Sequence, residues 1–251
     1  MIFDTHAHLN FKDYDEDRKE LLQKTLDKGV GMINVGADLK TSKKAVEIAQ
    51  KYENVYATAG VHPSHANDKL ELDILKELAQ DKKVVAIGEV GLDYFRKPDK
   101  EEIEKQKEVL LKQIELAQDE NLPLVLHCRK AHSDMLSLIS EKDIKGVVHC
   151  FSGDWETAKR YLDLDLYLGF NGIIYKNPYS KDVIQKISLS KMIVETDCPF
   201  LLPPQAEGGR NEPINVRYII KEIANIKNIK EIEVEKQTTK NAENLFKLDN
   251  S

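Results

Sequence analysis

The chain has 251 residues, 41% of them apolar and 32% charged, with a formal net charge of −6. That length suits one (β/α)8 barrel, which typically needs about 250 residues, and the acidic balance argues against an extended, non-specific grip on nucleic-acid backbone. No apolar run approaches the ~20 residues of a membrane span and no basic-then-apolar leader opens the chain, while three cysteines without a C-x-x-C pair point to a reducing, cytoplasmic setting.

Short apolar runs alternate with amphipathic segments along the whole chain. Strands are expected at 2–5, 32–35, 55–59, 84–88, 124–127, 146–149, 165–169 and 192–195. Between them the periodicity predicts helices over 15–28, 41–52, 70–81, 100–118, 131–139, 155–162, 180–187 and 214–226, with a terminal helix near 232–246. The first carries Leu21, Leu22 and Leu26 on one stripe; the second carries Ala45, Ile48 and Ala49, with Thr41 or Ser42 as its N-cap. Alternation of this kind predicts βαβ units and a parallel sheet. The expected architecture is a single α/β domain over residues 1–251, a (β/α)8 TIM barrel with an additional C-terminal helix. A doubly wound open sheet is the alternative, but no Gly-x-Gly-x-x-Gly turn follows the first strand.

Metal-ligand residue types gather at the C-terminal ends of the expected strands. His6 and His8 close the first, and their i, i+2 spacing puts both imidazoles on one face of a strand. His62 follows the third strand, Glu89 the fourth, His127 closes the fifth, His149 the sixth, and Asp197 lies just past the eighth. In a TIM barrel these ends converge at one mouth, where active sites of the fold lie. Alone, a strand-end histidine is ordinary packing and a buried glutamate an ordinary ion pair; as a set they point to metal. Mixed imidazole and carboxylate ligands suit Zn, Mn, Fe, Co or Ni better than Mg. Four histidines and two carboxylates exceed the needs of one catalytic ion with an open position, and suit two ions about 3.5–4 Å apart that share a carboxylate. The expected arrangement puts His6, His8 and Asp197 on one ion and His127 and His149 on the other, with Glu89 as the bridge. Asp197 is also the expected general base.

Other residues take supporting parts. Arg129 and His62 are candidates for holding substrate phosphate, with Arg96, Lys97 and Lys130 as further loop cations whose alternative is a solvated charge. His65 and His132 read as surface or loop residues, and Cys128 and Cys150 as core fillers turned away from the barrel interior. Asp4, deeper in the first strand, reads either as a hydrogen-bond partner for the histidine pair or as one half of an internal ion pair. Tyr94, Phe95, Phe151, Trp155, Phe170 and Tyr175 fall in or near expected loops, where some can stack on bases.

The runs Phe3-Asp4-Thr5-His6-Ala7-His8-Leu9, Gly60-Val61-His62-Pro63, Ile87-Gly88-Glu89-Val90-Gly91-Leu92-Asp93-Tyr94, His127-Cys128-Arg129, His149-Cys150-Phe151-Ser152-Gly153, Glu195-Thr196-Asp197-Cys198-Pro199 and Gly209-Arg210-Asn211-Glu212-Pro213 resemble, in order and spacing, the TatD family of metal-dependent deoxyribonucleases. The resemblance spans residue 2 to about 246. It implies an amidohydrolase-like TIM barrel and a DNA phosphodiesterase of 3′ exonuclease type, using two divalent ions (Mg, Mn or Zn) and metal-bound hydroxide. The family's metal ligands fall on His6, His8, Glu89, His127, His149 and Asp197, none of them missing, and its pattern also marks His62 and Glu195. Single-stranded DNA or its 3′ ends is the implied substrate, and a monomer is the expected state. A second reading is an aminoacyl-tRNA deacylase, or another ester or amide hydrolase, on the same metal site. Related barrels often bridge their metals with a carboxylated lysine where this chain has Glu89, which favours the phosphodiesterase. A third, a metal-dependent binding protein without activity, is disfavoured by the intact ligand set.

Overall fold

Residues 1–248 are described in the computed structural model. Strands β1 (Ile2–Ala7), β2 (Val30–Asn34), β3 (Val55–Ala59), β4 (Val84–Asp93), β5 (Leu124–Arg129), β6 (Gly146–Val148), β7 (Tyr167–Phe170) and β8 (Met192–Val194) form one sheet in sequence order. Each pairs in parallel with the next. Helices return the chain after each strand: α1 (Arg18–Asp27), α2 (Leu39–Ala49), α3 (Leu72–Ala79), α4 (Lys100–Asp119), α5 (His132–Ile139), α6 (Trp155–Asp163), α7 (Ser180–Lys186) and α8 (Val216–Lys227). The final helix, α9 (Glu231–Phe246), follows α8 directly. The result is the expected TIM barrel with its extra C-terminal helix.

Two side-chain layers hold it. Inward residues Phe3, Ile33, Val85, Val125, Val147 and Ile193 form a cluster with Ala242, Leu245 and Phe246 of α9. The C-terminal helix therefore closes the end of the barrel opposite the strand C-termini. The outer layer, including Ile2, Met32, Leu124 and Met192, packs strands against helices, as period-two alternation requires.

Several end-points differ from the expected ones by a few residues, the start of α2 among them. The N-cap of α2 is Asp38, whose carboxylate accepts from Thr41 N at 2.6 Å; Thr41 is the third residue of the helix and returns the bond as a capping box. An acidic N-cap seven residues before the apolar stripe outcompetes Thr41 or Ser42 for that position.

Two strands shift register beside candidate site residues. β4 pairs Gly88 with Val125 and Val90 with Leu126, so Glu89 is an inserted residue in that ladder. Its N–H instead donates to Gly36 O at 2.7 Å. A bulge of this kind re-aims a side chain. β1 shifts between Asp4 and Ala7. Strict alternation would keep Phe3 and Ala7 on one face; they lie in different clusters, Phe3 inward and Ala7 outward.

The seam between β8 and β1 is closed by individual bonds. Asp197 N donates to His6 O (2.8 Å), His8 N to Cys198 O (2.9 Å) and Thr5 Oγ1 to Val194 O (3.1 Å). Asp4 serves this seam. Its carboxyl accepts from Thr196 N (2.8 Å), Thr196 Oγ1 (2.5 Å) and His6 N (3.2 Å). Among the described residues it neither bonds an imidazole nor forms an ion pair. Complete burial pushes its carboxyl well above the ordinary range, against the pull of those donors.

Candidate metal centre

β1 delivers the histidine pair. His6 Nε2 and His8 Nε2 lie 3.1 Å apart, both imidazoles buried. His8 Nδ1 lies 3.0 Å from Val35 O. Because a carbonyl only accepts, the proton of a neutral His8 sits on Nδ1 and Nε2 presents its lone pair. Two imidazole nitrogens aimed at each other across 3.1 Å call for a cation or a proton between them.

Glu89 lies between two such groups. Its Oε2 is 3.4 Å from His6 Nε2 and 3.9 Å from His8 Nε2. Its Oε1 is 2.7 Å from His127 Nδ1 and 2.8 Å from His149 Nε2. Asp197 Oδ1 stands 3.8 Å from His6 Nε2 and 3.5 Å from His8 Nε2, on the first side only. Asp197 holds φ +57, in the left-handed region that glycine, asparagine and aspartate tolerate best, and its N–H donates to His6 O. The structure thus brings together all six predicted ligand residues.

The donor set fits divalent metal. An ion with ligands at about 2.0–2.2 Å leaves neighbouring ligand atoms about 3.0–3.5 Å apart in tetrahedral or octahedral arrangement. The separations within His6, His8 and Glu89 (3.1, 3.4 and 3.9 Å) and within Glu89, His127 and His149 (2.7, 2.8 and 3.3 Å) fall in or near that window.

Burial alone would push the Glu89 carboxyl up. The imidazoles of His149, His62 and His127 outweigh it and hold the group well below its ordinary range. Burial likewise opposes charge on His149, yet Glu89 and Glu195 raise it well above an ordinary histidine.

Behind the imidazoles stand two more carboxylates. Asp93 Oδ2 lies 3.0 Å from His127 Nε2, which leaves His127 Nδ1 to face Glu89. Glu195 Oε1 accepts from Cys150 N (2.8 Å) and Asn171 Nδ2 (2.9 Å) and lies 3.4 Å from His149 Nδ1. Such partners set which nitrogen an imidazole presents to a metal. Asp93 went unassigned in the sequence reading because β4 was expected to end at 88. The strand runs on to Asp93, and the spacing Glu89, Gly91, Asp93 was the available signal. Gly91 permits the continuation: at φ +152, a Cβ there would meet His127 O at 1.9 Å.

A cavity of about 810 Å³ opens over the centre, and both candidate phosphate-binding residues line it. His62 Nε2 is 3.6 Å from Glu89 Oε1, and Ser64 N donates to His62 Nδ1 at 3.1 Å. The Arg129 guanidinium lies over the Phe95 ring, 3.7 Å from its centroid. Arg96 also lines the cavity, whereas Lys97 and Lys130 are not part of its lining.

Other placements correct the sequence reading. His132 is no surface residue: it is half-buried at the start of α5, 3.3 Å from Cys128 Sγ and 3.1 Å from the Tyr161 hydroxyl. Cys128 and Cys150, expected as core fillers turned away from the interior, both contribute to the cavity wall, Cys128 as a buried residue and Cys150 as a half-buried one. β6 ends at Val148, so strand alternation no longer governs Cys150, which adopts φ +48. Of the aromatic candidates, Phe151 and Phe170 are buried core, Tyr94, Trp155 and Tyr175 are half-buried, and only Phe95 is exposed. Phe200 and Phe11, which the sequence reading passed over, flank His8 with centroids 6.4 and 4.3 Å from its ring.

The family model described as "TatD related DNase" matches residues 3–247. The chain belongs to the TatD-related DNase family. A relative from Bacillus subtilis (strain 168), YabD, named an uncharacterized metal-dependent hydrolase, is 40% identical over 99% of this chain and 100% of its own length. TatD of Escherichia coli (strain K12), named a 3′-5′ ssDNA/RNA exonuclease, is 32% identical over 89% of this chain and 90% of its own. The solved structure of YJJV, a TatD homologue from Escherichia coli K12, superposes with a TM-score of 0.91 at 28% identity, covering 99% of this chain and 98% of that one. As a member of the TatD family the chain is a metal-dependent hydrolase. Among the described residues no helix is long and apolar enough to cross a membrane.

Proposed function

We propose that this member of the family is a nucleic-acid phosphodiesterase that removes nucleotides from the 3′ ends of single-stranded DNA. One observation carries the reading: the two oxygens of Glu89 face separate histidine pairs, His6 with His8 and His127 with His149. That is the ligand arrangement of a shared carboxylate, and in-line displacement at phosphorus is the chemistry a paired site suits best. His6, His8 and Asp197 would hold one divalent ion, His127 and His149 the other, and Glu89 both. Bound there, the ions supply Lewis-acid charge stabilisation to the phosphodiester and a more acidic water.

The chain's own groups complete the site. Asp197 is the more open carboxylate, 15% exposed at its side chain against 7% for Glu89, and takes the proton of the attacking water as general base. Ser64 N occupies His62 Nδ1, so a neutral His62 carries its proton on Nε2 and donates toward the cavity. The His62 Nε2–H and the Arg129 guanidinium hold the non-bridging phosphate oxygens. The net charge of −6 suits a cavity that admits a chain end rather than a groove along a duplex.

The test is a timed product ladder on 5′-labelled single-stranded DNA with Mg, Mn or Zn. Stepwise shortening from the 3′ end supports the reading. No shortening with any metal, together with release of free amino acid from charged tRNA, would replace it by the ester-hydrolase reading.

A further inference from the structure

Five large apolar side chains are exposed among the described residues: Met1, Phe95, Tyr179, Phe200 and Ile232. Two of them, Phe95 and Phe200, line the cavity over the metal centre. They stand on opposite walls. Phe95 adjoins Arg129 and Asp93 on the His127 side, and Phe200 adjoins His8 on the Asp197 side. Phe95 is already engaged, with the Arg129 guanidinium 3.7 Å and the Lys130 ammonium 5.2 Å from its centroid. Phe200 meets His8 only at a steep angle of 67° and remains 53% exposed.

The Phe200 backbone is pinned relative to the candidate ligands. Its N–H donates to Asp197 O at 2.9 Å, and its carbonyl accepts from Asn211 Nδ2 at 2.7 Å. The same Asn211 amide donates to Thr196 O at 3.1 Å, and Tyr14 Oη donates to Asn211 O at 2.6 Å. A flat apolar ring is thus presented to solvent from a fixed position beside the site where a phosphodiester would sit. The acidic net charge leaves the surface beyond the metal centre and its arginines little attraction for further phosphates of the strand. Stacking on an aromatic face is a source of affinity open to any base, and only when the base is unpaired.

We propose that Phe200 is the stacking platform for an unpaired nucleobase flanking the scissile phosphate, and so determines the preference for single-stranded ends. The proposal rests on the phosphodiesterase reading above. The test uses metal-loaded full-length protein and three 5′-labelled single-stranded oligonucleotides. One is unmodified, one has a baseless tetrahydrofuran residue at the 3′ terminus, and one has it at the penultimate position. The wild-type protein is expected to show a KM about 5- to 150-fold lower for the unmodified strand than for one of the two baseless strands. Phe200→Ala should collapse that ratio toward one, and Phe200→Trp should keep it. A fold or metal-site defect would instead slow all three substrates alike and preserve the ratio, which overturns the proposal. So does a wild-type protein indifferent to the missing base, or a ratio that survives Phe200→Ala and disappears with Phe95→Ala. A wild-type protein that cleaves none of the three refutes the phosphodiesterase reading itself, and this inference with it.

Discussion

Replacing Asp93 by asparagine tests whether the carboxylate behind His127 tunes the metal centre. The side chain uses both oxygens: Oδ2 faces His127 Nε2 at 3.0 Å, and Oδ1 accepts from Phe95 N at 2.8 Å. Asparagine has one acceptor oxygen, so either the His127 or the Phe95 donor loses its partner, and the negative charge is lost in both cases. Loss of a carboxylate behind a ligating imidazole typically costs about 10–100-fold in metal affinity or activity. That range converts to about 1.4–2.7 kcal/mol, in line with the ~1.5–3 kcal/mol of a hydrogen bond to a charged group. The assay is competition with a fluorescent chelator, titrating each ion into apo-protein, beside turnover on single-stranded DNA. The more weakly bound ion should be the one on the His127–His149 side. Unchanged affinity for both ions would refute the reasoning. Outright loss of one ion would do so differently, by making Asp93 a ligand rather than a partner of one.

Glu89→Ala should remove at least one ion per chain by metal analysis and most of the activity, with an unchanged circular dichroism spectrum; full turnover in that variant would sink the bridging role. Gly91→Ala should lower stability by about 3 kcal/mol or more in urea unfolding, since φ +152 and a 1.9 Å approach to His127 O leave no room for a Cβ. The raised His149 group predicts a pH dependence of metal-free protein. A histidine whose folded value exceeds the unfolded one contributes stability that is full below about 6.5 and fades as pH rises through the folded value. Unfolding temperature of the apo-protein should therefore fall above neutral pH, while metal affinity, which needs the unprotonated ring, rises over the same window; a flat profile in both would contradict the assignment.

Much of the barrel was legible in residue pattern alone. Apolar runs such as Val84–Ile87 and Leu124–Leu126 can only be strands covered on both faces, and helices with caps and stripes between them dictate parallel pairing. The candidate site was legible for a chemical reason: histidine and glutamate are costly at the ends of buried strands unless something binds them. Hence His6, His8, Glu89, His127, His149 and Asp197 could be picked out before any coordinates, and the structure gathers them. Asp93 carried only the period-two spacing from Glu89, which becomes informative once β4 is known to run on to it, and Phe200 carried no signal, because a phenylalanine is unremarkable until its neighbours are known.

The sequence by itself determined the elements, their order and the kinds of ligand at their ends, since these follow from local periodicity and side-chain chemistry. Tertiary structure decided the rest. The inserted position of Glu89 depends on how β4 registers against β5, and only that pairing turns its two oxygens toward separate histidine pairs. Asp4 became a seam residue because Thr196, 192 positions away, brings its N–H and hydroxyl to it. The terminal helix became the plug of the barrel because Leu245 and Phe246 join the buried cluster that holds Phe3 and Val125. Register and long-range contact are properties of two segments at once, so neither segment's sequence records them.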